Sequence, residues 1–157
     1  MPIIFLETYI EAPIEKVFDL ARSIDFHVSS TKQTQEEAIA GKTQGLIELH
    51  ETVTWQARHL GVTQKLTSKI TEMQFPNHFT DVMLQGAFSE MKHIHEFKQE
   101  NNQTLMTDLF YFKTPLGLIG MIIDFVFLTK YMKNFLIIRN AELKRIAESE
   151  EWKQFIQ

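Results

Sequence analysis

The chain has no cysteine and only four prolines and six glycines in 157 residues. The first absence excludes structural disulfides, thiolate metal centres and cysteine nucleophiles, and is compatible with a reducing compartment. Basic charge is not in excess either: 16 Lys and Arg stand against 20 Asp and Glu, a net charge of −4 with neutral histidines. Phosphate binding wants a clustered basic surface, so no nucleic-acid partner is expected. Long apolar runs are missing as well. The longest, Leu116 to Leu128, already contains Asp124 and falls short of the roughly 20 residues needed to cross a bilayer, so no membrane insertion is expected. The first residues carry no basic n-region and no small-residue cleavage site, and the expected location is cytoplasmic.

What is present is an ordinary hydrophobic fraction of 44% with an unusual weight of phenylalanine, 13 residues, beside seven methionines. Residues 1–157 fit one domain, long enough to bury a core without staples, and no repeat or linker divides them.

The hydrophobic period orders the elements. Ile3 to Glu11 reads as a strand ending at Ala12-Pro13, and Pro13 suits the first turn of a helix whose apolar positions Ile14, Val17, Phe18, Ala21 and Ile24 recur every three or four residues. A second short helix falls within Ile24 to Ser30, and the polar stretch Lys32 to Lys42 reads as a loop. From Gly45 the period becomes two, predicting strands near Leu46–His50, Thr52–His59, Val62–Met73, His78–Gln85, Phe88–Lys98 and Gln103–Lys113. Short connections make them an antiparallel meander. After Thr114-Pro115-Leu116-Gly117 a helix of about 30 residues is predicted, roughly 45 Å long, with Leu118, Ile122, Phe125, Leu128, Met132, Phe135 and Leu136 as its apolar stripe. Lys130, Lys133, Arg139, Lys144 and Arg145 are assigned to its solvated side.

This order, with Ala12-Pro13-Ile14-Glu15-Lys16-Val17-Phe18 after the first strand, resembles the START-like superfamily, also called SRPBCC, over essentially the whole chain. Trp55-Gln56-Ala57-Arg58-His59-Leu60-Gly61, Phe75-Pro76-Asn77-His78-Phe79, His93-Ile94-His95-Glu96-Phe97 and Thr114-Pro115-Leu116-Gly117 look like a bacterial subgroup of small ligand-binding members. Met91 stands where that subgroup usually has an aromatic. The resemblance implies an α+β, helix-grip fold: a curved seven-stranded antiparallel sheet wrapped around a long C-terminal helix, with two short helices after the first strand and a cavity between sheet and helix. Relatives of the subgroup are joined to epimerase-like domains, which implies an epimerase-like protein as a candidate partner. The superfamily includes lipid carriers and polyketide cyclase-like enzymes, so it speaks to fold more than to function.

Hairpin arithmetic predicts which side chains meet. Central residues Asn101-Asn102 pair positions summing to about 203, placing His95 opposite Asp108, His93 opposite Phe110, Phe97 opposite Met106 and Met91 opposite Phe112 on one face. A two-residue turn at Gly86-Ala87 would set Val82 opposite Met91 and Thr80 opposite His93, with Asp81 and Lys92 outside. A turn at Leu60-Gly61 pairs Trp55 with Leu66, Ala57 with Gln64 and Val53 with Ser68. The concave wall so deduced is Trp55, Gln64, Leu66, Ile70, Thr80, Val82, Leu84, Met91, His93, His95, Phe97, Met106, Asp108, Phe110 and Phe112, with Met121 and Phe125 contributed by the helix.

A mostly apolar wall with a few convergent polar groups describes a small-molecule site. His95 beside Asp108 is its sharpest feature: a carboxylate can fix the imidazole tautomer, for orienting a ligand or for general-base chemistry. The same pair is equally readable as a self-satisfied buried contact. The expectation is a carrier or sensor of a small apolar molecule, with no catalytic residue assigned. The alternatives are a cyclase- or hydrolase-type enzyme using His95 and Asp108, and an interaction module. His93, His95 and Asp108 could ligate a metal, but phenylalanines surround them and neither metal nor cofactor is expected. His27, His50, His59 and His78 fall at element ends and are assigned to surface or turns. A homodimer surface stays open if the helix stripe is wider than the sheet can cover.

Overall fold

A computed structural model describes residues 2–115 and 117–156, without the side chains of residues 120, 121, 123 and 124. Strand β1 (Ile3–Ile10) leads into helices α1 (Ile14–Ala21) and α2 (Ile24–Ser30). Then come β2 (Glu37–Gly41), β3 (Thr52–His59), β4 (Val62–Gln74), β5 (His78–Gln85), β6 (Glu90–Glu100) and β7 (Gln103–Lys113). The seven strands form one antiparallel sheet in the order β1-β7-β6-β5-β4-β3-β2. Helix α1 buries Ile14, Val17, Phe18 and Ala21, the three-and-four spacing that makes it amphipathic. Ser23 caps α2 by accepting from the Phe26 amide at 3.1 Å.

Three expectations are corrected. The second strand is not Leu46–His50 but Glu37–Gly41, inside the stretch that reads as a loop. Leu46 makes only a bridge to Ser23, and Ile47 donates its amide to the Arg22 carbonyl, so this segment packs against the α1–α2 junction. Gly41 makes the edge strand possible: its φ is +73°, and a Cβ there would lie 2.3 Å from the Thr52 carbonyl oxygen.

The second correction is the β5–β6 register. Asp81 faces His93 and Val82 faces Lys92, one residue away from the expected pairing. The connection is Gly86–Ser89, because Phe88 folds in against Phe112 at 5.3 Å and the Ser89 amide donates to Lys113. A one-residue slip exchanges faces, so Phe79 and Asp81 point inward, while Thr80 and Val82 take the opposite face and Leu84 is 58% exposed. The hairpins β3–β4 and β6–β7 have the expected pairings.

The third concerns the apolar stripe of the terminal helix; the helix itself runs from Gly117 to Ala147 as expected, as α3 (Gly117–Ile123), a π-helical turn Asp124–Leu128, and α4 (Thr129–Ala147). A π turn inserts about one residue and rotates the helix face by roughly 100°. Leu118, Ile122 and Phe125 are exposed, Phe125 to 79%, and so are Ile119, Val126 and Phe127, whereas Phe135 and Leu136 further along are buried. The stripe continuous in sequence is broken in space. Among the described residues no helix is long and apolar enough to cross a membrane.

The buried apolar residues fall into two clusters. One gathers α1, α2, Phe79, Phe97, Met106 and Leu143, with Phe18 in edge contact with Phe75, Phe79 and Phe97 at 5.1–5.3 Å. The other gathers Ile4, Met91, Phe110, Phe112, Phe135 and Leu136. Between them, on the same face of β6 and β7, run His93, His95 and Asp108.

Candidate functional site: a polar band in an apolar cavity

Strand alternation builds the band. His93 and His95 lie two apart on β6 and so share a face, with ring centroids 3.8 Å apart. Asp108 on β7 sits opposite His95, and its Oδ1 accepts from His93 Nε2 at 2.8 Å. Asp81 on β5 accepts from His95 Nε2 at 3.1 Å. Phe79 stacks on the His95 ring at 4.2 Å. From α4, Asn140 Nδ2 donates to Asp108 Oδ2 at 2.7 Å. Arg139 is buried beside it, donating to the Ala21 carbonyl and to Asn140 Oδ1, both at 3.2 Å. Its expected place on the solvated side of the helix is thereby corrected; the carbonyl and amide partners explain how a guanidinium is tolerated inside. His95 Nδ1 lies 3.2 Å from Asp108 Oδ1 without hydrogen-bond geometry and is without a hydrogen-bond partner among the described residues.

The two rings titrate apart. Burial and the neighbouring His95 push His93 below its ordinary value, more than the Asp108 carboxylate pulls it up. For His95 burial acts the same way but is outweighed by Asp108 and Asp81, so its pKa is raised. Burial pushes Asp108 up, yet the two histidines hold it well below the ordinary carboxylate range, and Asp81 is lowered by the same balance. His95 is therefore the more basic ring of the pair.

The band forms part of the wall of a cavity of about 290 Å³ between the sheet and α4. Of the residues expected there, Trp55, Gln64, Leu66, Ile70, Met91, His93, His95 and Phe110 line it. Asp108 lies behind the histidines, fully buried. Phe97 and Met106 belong to the first apolar cluster and Phe112 to the second. Thr80 and Val82 face away after the register change, Phe125 is exposed, and the Met121 side chain lies outside the described residues.

Sequence reasoning misses a second polar group. His27 and His59, expected at surface or turns, line the cavity with Glu36, which is buried. Glu36 pairs with His27 Nε2 and lies 3.6 Å from His59 Nε2, whose ring partner nitrogen Nδ1 is 2.9 Å from the Tyr131 hydroxyl. Burial raises the Glu36 pKa, but the charges and hydrogen bonds of His27 and His59 bring it down to about 2. No local signal marks this cluster: its members come from α2, the turn before β2, the end of β3 and α4.

Among solved structures the chain superimposes on the protein TTHA0849 from Thermus thermophilus with a TM-score of 0.75 and 18% identity, covering 92% of this chain and 95% of that one. It matches ginseng major latex-like protein 151 from Panax ginseng at 0.70 and 13%, covering 94% and 98%. A START superfamily protein from Mycobacterium smegmatis matches at 0.70 and 10%, covering 93% and 97%. The chain has the START-like, helix-grip fold. At these identities the likeness carries the fold alone, and the START-like frame explains the place of the cavity between sheet and terminal helix. No family model matches the sequence, and no curated protein does.

Proposed function

We propose that the protein is a carrier or sensor that holds a small, largely apolar molecule in this cavity, with one polar end of the molecule at the His93–His95 band. The observation that carries the reading is the cavity itself: Ile47, Val53, Trp55, Ala57, Leu66 and Phe110 give apolar walls on which Asp81, His93, His95 and Arg139 converge. Its volume, about 290 Å³, is at the small end of ligand sites, which run to roughly 300–1,000 Å³. The ligand is accordingly small.

The enzyme alternative gives His95 the role of general base. A base needs a free acceptor nitrogen aimed at its substrate, and His95 Nε2 is already engaged with Asp81 at 3.1 Å. That favours binding, with the His93–His95 band as the polar contact for a carbonyl or hydroxyl group of the ligand. Native mass spectrometry of freshly purified protein tests the reading. The expected result is a reproducible organic adduct that disappears in Ala57→Trp, a substitution that fills the cavity from β3. A wild-type protein with no adduct, and no affinity for an apolar fluorescent probe, would sink it.

A further inference from the structure

We infer that Asp81, His93 and His95 bind one divalent transition-metal ion at the cavity wall. One nitrogen from each imidazole and one carboxylate oxygen of Asp81 lie within 4.8 Å of one another. His95 Nε2 and Asp81 Oδ2 are already 3.1 Å apart, the separation of two ligands on a shared ion with bonds of about 2.0–2.2 Å. Two imidazoles and a carboxylate suit borderline ions such as Zn²⁺, Co²⁺ or Fe²⁺ and leave coordination positions open. All three residues line the cavity, so those positions face it.

The surroundings fit an ion as well. Metal-bound histidines usually give their second nitrogen to a carboxylate, which fixes tautomer and ring orientation. Asp108 stands in that place for both rings, 2.8 Å from His93 Nε2 and 3.2 Å from His95 Nδ1, and Asn140 holds its other oxygen at 2.7 Å. With the ion on His95 Nε2, the ring proton sits on Nδ1, 3.2 Å from Asp108 Oδ1. The spacing in sequence suggests Asp108 as the carboxylate ligand; the β5–β6 register brings Asp81 there and makes Asp108 the residue that orients the rings.

The inference does not depend on an organic ligand. The test is titration of chelator-treated full-length protein with CoCl₂ and ZnSO₄ near neutral pH, followed by calorimetry and by the visible spectrum of Co²⁺. One ion per chain is expected, bound about 100-fold more weakly in Asp81→Asn and in His95→Gln and about 10-fold more weakly in Asp108→Asn, with His78→Gln unchanged. In the wild-type protein Co²⁺ should shift the ring signals of His93 and His95 in the proton NMR spectrum, a readout that needs no variant to fold. Absence of stoichiometric binding, unchanged affinity in a folded Asp81→Asn protein, or shifts confined to His27 and His59 would each overturn the assignment.

Discussion

Asp108→Asn is the substitution that bears hardest on the band, because it keeps the shape and removes only the charge. The wild-type carboxylate is fully buried, accepts from His93 and Asn140 at 2.8 and 2.7 Å, and faces His95. An amide has one acceptor oxygen and a donor NH₂, so one of the two donors loses its acceptor and meets another donor. Breaking a buried charged network in this way costs about 3 kcal/mol, which for a chain of this size lowers Tm by roughly 6–12 °C. The sign of the pH dependence follows from both partners. Asp108 has a depressed folded pKa, so its contribution is present above the ordinary carboxylate value of 3.8 and is lost as pH falls below it. His95 has a raised folded pKa, so its contribution is complete below the ordinary 6.5 and is lost as pH rises through the folded value. The difference between wild type and variant is therefore greatest between about pH 4 and 6.5 and narrows on either side. Urea unfolding followed by circular dichroism from pH 3 to 9 reads it directly. A difference below about 1 kcal/mol at its maximum, or one that does not vary with pH, would refute the network as the source of stability.

Three further outcomes are expected. Glu36→Gln removes a group whose pKa is about 2 against an ordinary 4.5; its contribution, on the order of 3 kcal/mol, is present above 4.5 and vanishes as pH falls through about 2, so urea midpoints of wild type and variant should converge in acid. Leu84→Gln should change stability by no more than about 0.5 kcal/mol, since Leu84 is exposed; a loss of about 2 kcal/mol or more would restore the register with Leu84 inside. Gly41→Ala should destabilise by more than about 1 kcal/mol, because the residue combines a positive φ with a Cβ position 2.3 Å from a carbonyl oxygen; thermal unfolding that matches wild type would show that the edge strand gives way freely.

Much of the band is legible in the sequence because hairpins of two-residue turns encode parity. Asn101-Asn102 and Leu60-Gly61 determine which residues face each other on β6–β7 and β3–β4, and alternation then sorts inside from outside without knowledge of the rest of the chain. The β5–β6 connection is wider, and a longer loop carries no parity: whether Thr80 or Asp81 faces His93 depends on Phe88 finding Phe112 and Ser89 finding Lys113, contacts made across the sheet. The consequence is large, because the same slip exchanges an apolar wall at Val82 for a carboxylate at Asp81.

The sequence alone thus determines the order of elements and the pairing of His95 with Asp108, which rest on period and on short turns, and its resemblance to the START-like superfamily implies the helix-grip outline. The tertiary structure decides what shares the cavity with them. Glu37–Gly41 becomes a strand only because β3 offers an edge, Arg139 and Asn140 turn inward only because Ala21 and Asp108 offer partners, and the first turns of the terminal helix stay exposed although their spacing carries no warning. His27, Glu36, His59 and Tyr131 meet from four separate elements. Local periodicity reports which way a residue faces on its own element, whereas a polar site is assembled from donors and acceptors far apart in the chain, whose meeting depends on packing that no window of sequence contains.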